Sequence, residues 1–221
     1  MPLTLETDGA VRLDRAALSI LPELREIADA QPAGQAGVRL HDAPALSSLL
    51  KRGGLLGKLA AEQLSNSSRA VRAILFDKTE RTNWALGWHQ DRTIVVRERM
   101  ETLGFGPWTV KSGMIHVQPP AELLAGMLTM RVHLDPVPDT NAPLLIAPGS
   151  HMLGRIPEHE VEAVVERCGI EVCLADAGDI WLYSTPILHA SAAASRPARR
   201  RVFQIDFAGI DLPSPLQWLG V

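Results

Sequence analysis

The chain is 221 residues long, enough for one full hydrophobic core and too short for two comfortable domains. Hydrophobic residues make up 46 % and charged residues 21 %, as in an ordinary globular protein, and a net charge of −3 gives no general pull towards nucleic acid or an anionic membrane. No apolar run approaches a membrane span, and the first residues lack the basic-then-apolar pattern of a signal peptide, so the cytoplasm is the expected location.

Residues 1–70 read as helical or irregular. Leu13 to Ala28 has apolar residues near helical spacing, interrupted by Pro22, with a stop expected at Gln31-Pro32-Ala33-Gly34. Two short helices are expected over Pro44 to Leu50 and Leu55 to Leu64, broken at Gly53-Gly54, and Pro44 suits a first helical turn. From about residue 70 the texture becomes strand-like. Ala70 to Asp77 is rich in apolar residues, and Ile94-Val95-Val96 follows as a second strand. Val110 to Gln118 reads as a strand, Ala121 to Leu124 as a helical turn, and Met127 to Leu134 as a strand with Thr129, Arg131 and His133 on one face. Leu144-Leu145-Ile146 is a short buried strand and Pro157 to Arg167 a helix. Ile170 to Leu174, Asp179 to Tyr183 and Arg199 to Phe207 supply the last strands. The only cysteines, Cys168 and Cys173, are five residues apart, which is not a zinc spacing. Many short strands after a helical block predict a mainly β protein with helices, a sandwich or barrel carrying helices on one side. One domain is expected over 1–221, with residues 1–70 as a helical buttress and 70–210 as the core.

On the last strand Phe203, Ile205 and Phe207 share one face, and Arg200, Val202, Gln204 and Asp206 share the other. A water-facing surface and a polar barrel lumen explain that second face equally well.

Chemistry centres on Gly87-Trp88-His89-Gln90-Asp91. A histidine and a carboxylate two residues apart on an extended segment point to one face, and the distant His189 would complete a set of two histidines and one carboxylate. Such a set with adjacent positions open suits non-haem Fe(II). Arg200 follows His189 by eleven residues across a loop that can return the chain antiparallel, and Ser191 lies two residues beyond His189. Arginine holds a carboxylate through two parallel hydrogen bonds. Taken singly, each feature also has a plain structural explanation, such as a satisfied core histidine, a solvated basic hairpin or a turn serine.

In their order and spacing, Trp88-His89-Gln90-Asp91, Asn141-Ala142-Pro143-Leu144, Pro148-Gly149-Ser150-His151 and Gly178-Asp179 leading to His189-Ala190-Ser191 resemble the phytanoyl-CoA dioxygenase family of Fe(II)/2-oxoglutarate oxygenases. The resemblance spans about residues 70–210. It implies a double-stranded β-helix, a jelly-roll barrel of the cupin kind, with N-terminal helices packed on one sheet. It also implies that His89, Asp91 and His189 bind iron and are catalytic, and that Arg200 with Ser191 holds the C5 carboxylate of 2-oxoglutarate. The implied reaction hydroxylates an unactivated C–H with O2, releasing succinate and CO2. An Ala-rich loop after His189 departs from the family's usual polar turn.

Lys78 and Asn83, just before the His-x-Asp strand, are further candidates for the co-substrate. Trp88, Arg131 and His133 are candidates for the substrate, with an edge face in solvent as the other reading of the last two. The partner is a small molecule rather than nucleic acid or membrane, and nothing in the sequence sets the oligomeric state. Three alternatives stay open: a cupin-type metalloenzyme that does not use 2-oxoglutarate, a non-catalytic binding jelly roll, and a plain structural barrel in which His89, Asp91, His189 and Arg200 coincide by chance.

Overall fold

The computed structural model describes residues 2–32 and 34–221. In chain order the elements are β1 (Ala10–Leu13), α1 (Leu21–Asp29), β2 (Gly37–Leu40), α2 (Pro44–Leu50), α3 (Leu55–Gln63), β3 (Arg69–Lys78), β4 (Leu86–His89), β5 (Ile94–Val96), β6 (Trp108–Lys111) and β7 (Met114–Val117). They continue with α4 (Ala121–Ala125), β8 (Met127–His133), β9 (Leu144–Ile146), α5 (Val161–Cys168), β10 (Glu171–Cys173), β11 (Ile180–Ser184), β12 (His189–Ser191) and β13 (Arg200–Ala208). A major sheet has the order β1-β11-β8-β13-β3-β2, and a minor sheet the order β10-β9-β12-β4. Residues of both, among them Tyr183, Trp181, Leu144 and Ile146, close one apolar cluster between them. This is a double-stranded β-helix, and the hairpin sheet β5-β7-β6 extends one end.

The two faces of β13 explain the layering. Phe203, Ile205 and Phe207, with Leu75 of β3 and Met130 and Val132 of β8, pack on Leu24 of α1, Leu46 of α2 and Leu56 of α3. The N-terminal helices therefore buttress the major sheet, as expected. The other face is buried too: none of Arg200, Gln204, Asp206, Thr129, Arg131 and His133 is more than 6 % exposed. The water-facing reading of β13 is thus overturned, and so is the solvent-edge reading of Arg131 and His133. β8 runs between β11 and β13, and its polar face lines the lumen.

Three readings of local structure are corrected. Residues 1–70 are not wholly helical or irregular, because β1 and β2 form the two edges of the major sheet. Four-residue strands carry too little alternation to stand out from helical neighbours. Pro22 lies in the first turn of α1 rather than interrupting a helix, and its missing N–H is not needed there. Val110 to Gln118 is not one strand: Ser112 (φ 51°) and Gly113 (φ 77°) form the two-residue turn between β6 and β7. The stop at Gln31–Gly34 falls partly on Ala33, outside the described residues, and α1 ends at Asp29.

Phe203 is fully buried where the helices meet the sheet. Phe203→Ala is expected to destabilise the fold by about 3–5 kcal/mol. Urea unfolding would show this as a lower midpoint at an unchanged slope.

Candidate metal centre

β4 and β12 are neighbours, and their register sets His89 directly opposite His189. Side chains opposite one another on an antiparallel pair leave the same face, and the imidazole centroids are 4.3 Å apart. The register slips between His189 and Ser191, a bulge beside the site. β4 ends at His89, so Asp91 comes from the loop beyond it rather than from the extended segment. Ligand atoms of His89, Asp91 and His189 nevertheless lie within 4.8 Å of one another. Gln90 fixes that loop: its amide donates to the carbonyls of Gly154 and Pro186 and accepts from the Ile156 N–H.

The donor set fits a divalent metal. Nδ1 of His89 lies 2.8 Å from the Gly87 carbonyl, and Nδ1 of His189 lies 3.0 Å from the Ile187 carbonyl. A carbonyl only accepts, so each Nδ1 carries a proton and Nε2 is the nitrogen left to ligate a metal. Burial, helped by the neighbouring His89, pulls His189 down to about 4 despite Asp91, so the ring is neutral at ordinary pH. Burial opposes ionisation of Asp91, but Arg72 and the two imidazoles overcome it and hold the carboxyl at about 2. Two imidazoles and one ionised carboxylate form the facial set that suits Fe(II).

Arg72 on β3 ties this centre to the major sheet. Its Nη2 donates to Oδ2 of Asp91 at 3.0 Å, and its Nε donates to Asp206, which also accepts from the Thr129 hydroxyl. The sequence reading did not single out Arg72. Its signal was parity, since it shares a strand face with Ile74, Phe76 and Lys78.

A cavity of about 410 Å³ opens on the triad and is lined further in by Lys78, Arg131, Ser191 and Arg200. Arg200 faces inward because its neighbours are engaged elsewhere: Arg199 pairs with Asp77 and Asp29, and Arg201 with Asp135 and Asp29. Arg200 Nη1 donates to the Ala142 carbonyl at 2.6 Å, while its buried Nε has no partner. Lys78, opposite Arg200 in the β3–β13 register, donates to the Trp84 carbonyl at 2.7 Å and to Ser191 Oγ at 3.3 Å. Burial, then the charges of Arg200 and Arg131, pulls Lys78 down to about 8, and burial with Arg131 pulls Arg200 to about 9. Arg131 donates to Gln204 at 2.8 Å and lies over the Phe76 ring.

The model of the phytanoyl-CoA dioxygenase (PhyH) family matches residues 39–202. The chain belongs to that family. As a PhyH member it is a non-haem Fe(II)- and 2-oxoglutarate-dependent oxygenase. No curated protein sequence matches it. Among solved structures, EctD from S. alaskensis with 2-oxoglutarate and 5-hydroxyectoine is similar at TM-score 0.67 and 16 % identity, over 98 % of this chain and 77 % of its own. AviO1 from Streptomyces viridochromogenes Tue57 gives 0.65 and 17 %, over 95 % and 93 %. The epimerase SnoN, in complex with Fe3+, alpha ketoglutarate and nogalamycin RO, gives 0.61 and 17 %, over 96 % and 88 %. Likeness at such identity establishes the shared fold.

Three candidates of this PhyH chain lie away from the cavity. Asn83 spends its amide on the loop after β12, donating to the Ala194 carbonyl at 3.0 Å and accepting from the Ala194 N–H at 2.7 Å. Trp88 alternates with His89 on β4 and packs on the separate cluster of Ile156, Val161 and Val164. His133 is 1 % exposed with neither ring nitrogen partnered, outside the cavity lining. Burial, with Arg131 and Arg200 nearby, holds it well below the usual imidazole range.

Replacing Arg72 removes the group that orients Asp91. Arg72→Met is expected to lower Fe(II) affinity roughly 10–100-fold, measured by anaerobic metal titration of protein whose far-UV circular dichroism is unchanged.

Proposed function

We propose that this PhyH oxygenase hydroxylates an unactivated C–H of a small molecule, with His89, Asp91 and His189 as the iron ligands and O2 and 2-oxoglutarate as co-substrates. The observation that supports it most is the paired histidines, each with Nδ1 turned to a carbonyl and Nε2 left to ligate, beside an ionised Asp91. Iron held there supplies O2 activation coupled to decarboxylation of the oxo acid to succinate and CO2.

The remaining work belongs to the chain's own groups. Arg200, with an unpartnered Nε in the cavity wall, takes the C5 carboxylate of 2-oxoglutarate, and the Ser191 hydroxyl turns its one proton from the Ala142 carbonyl to that carboxylate. Lys78 adds a positive charge beside that carboxylate. Phe76, Ile74 and Trp84 line the same cavity and keep water from the reacting centre. Asp91, as the carboxylate that would hold the iron, would leave no ligand place for a halide, which favours hydroxylation over halogenation. A cupin-type site without the oxo acid would leave Lys78, Arg131 and Arg200 as buried cations with no counter-ion, an expensive arrangement.

The unit that acts is the whole chain, because β1 and β2 complete the major sheet. Its proposed location is the cytoplasm, a reducing compartment in keeping with the unbonded Cys168 and Cys173. No helix among the described residues is long and apolar enough to cross a membrane.

Anaerobic Fe(II) protein is expected to develop a weak visible charge-transfer band only when 2-oxoglutarate is added. His189→Ala should abolish the band, and Arg200→Ala should weaken 2-oxoglutarate binding by roughly 10–100-fold, the loss of one charge-assisted pair. No band in properly metallated protein would sink this reading. The same titration carries a pH test. The Lys78 ammonium is charged below about 8 and neutral above it, so attraction for the dianion is present below and lost above. Affinity should therefore fall as pH rises from about 8, later than that once the bound anion stabilises the ammonium, and Lys78→Met should remove the part of the fall that begins there and leave the part above about 9 that belongs to Arg200.

A further inference from the structure

We propose that the substrate carries an anionic group, a carboxylate or a phosphate, held at the cavity mouth by Arg39 and Lys111; this rests on the oxygenase reading above. The cavity's charge is one-sided. Asp91 is the only acidic residue of its lining. Arg72 is paired with Asp91 and Asp206, and Arg92 with Glu158. Among the described residues no carboxylate lies within 4.0 Å of the side-chain nitrogens of Arg39, Lys78, Lys111, Arg131 or Arg200. The C5 carboxylate of 2-oxoglutarate accounts for Arg200 and Lys78; of the three that remain, Arg131 donates to the neutral Gln204 deep in the wall, and Arg39 and Lys111 lie together at the other end of the lining.

Those two sit at another end of the cavity. Arg39 on β2 is in register with Ile74 of β3, two residues from Arg72 and four from Lys78. An anion bound there lies towards Asp91, away from Arg200. Arg39 donates Nη1 to Ser112 Oγ at 3.2 Å, which draws the β6–β7 turn and the adjacent Lys111 towards it, while its buried Nε is unpartnered. Burial and the nearby Arg72 both disfavour the charge on Arg39. A guanidinium and an ammonium that line one open cavity without a carboxylate partner focus field lines on an incoming anion. Gly37, on the same wall, has no side chain to obstruct the approach.

The test uses the full chain, loaded anaerobically with Fe(II) and saturating 2-oxoglutarate. It is titrated calorimetrically with benzoate, phenylphosphonate and neutral benzamide while the charge-transfer band is followed. Saturable binding of at least one anion is expected, with none of benzamide and the band retained. Arg39→Ala and Lys111→Ala should each weaken anion binding at least about tenfold, the loss of a charge-assisted contact, and Arg39→Lys should restore most of it. Tighter binding of phenylphosphonate assigns a phosphate to the substrate, and tighter binding of benzoate a carboxylate. The proposal is overturned by no saturable anion binding to wild-type protein, by benzamide binding as well as the anions, or by anion binding that ignores both alanine variants. Loss of the band on adding anion would place the anion at Arg200 and also overturn it. A wild-type protein that never shows the band would count against the oxygenase reading instead, and the dependence of anion binding on Arg39 would still decide this proposal.

Discussion

The guanidinium of Arg72, held between Asp91 and Asp206, is the interaction on which the rest of the site depends. It joins the carboxylate of the His89–Asp91–His189 set, carried on a loop, to the centre of the major sheet. Asp206 pairs with Arg72 across the β3–β13 register and accepts from Thr129 on β8, so three adjacent strands converge on this one group. A buried guanidinium left with a single carboxylate, or a buried carboxylate left with none, would cost several kcal/mol. Removing any member therefore disturbs both sheets. The second oxygen of Asp91 stays free because Arg72 engages the first, and that asymmetry aims the carboxylate at the two imidazoles.

The major sheet can carry such a polar floor because its opposite face is wholly apolar. Phe203, Ile205 and Phe207 bury against α1, α2 and α3, and this burial offsets the desolvation of the charged residues that alternate with them along β13. The helices thus support the chemistry from behind, without contributing a ligand. The backbone gives a second kind of support. Ala142 adopts a φ of 53°, a region disfavoured for a residue with a Cβ, and its carbonyl accepts from both Arg200 and Ser191. Strain at one residue positions two side chains of the inner cavity.

The lumen is electrostatically graded. Near the triad, Arg72 neutralises carboxylates and the buried His189 is uncharged. Further in, Lys78, Arg131 and Arg200 face one another without counter-ions, and their mutual repulsion and burial lower the pKa values of Lys78 and Arg200. Under the proposed function, a dianion bound there would relieve repulsion already present in the free protein.

Much was readable from local pattern. The helix over Pro44 to Leu50, the two-faced β13, the shared face of Thr129, Arg131 and His133, and the His-x-Asp with its distant histidine all rest on periodicities of two or 3.6, which neighbouring residues set among themselves. Parity also separated Arg200 from Arg199 and Arg201. What parity cannot say is whether a face meets water, another sheet or a cavity. Pairing between strands far apart in the chain settles that, and it buried the polar face of β8, turned Trp88 away from the cavity and claimed Asn83 for the loop at Ala194. The same long-range pairing brought β1 and β2 to the sheet edges and set His89 against His189 across one hundred residues of chain. The amino-acid order thus determined which residues share a face, and the tertiary structure determined what each face meets, because burial is a property of the assembled sheets and not of any one strand.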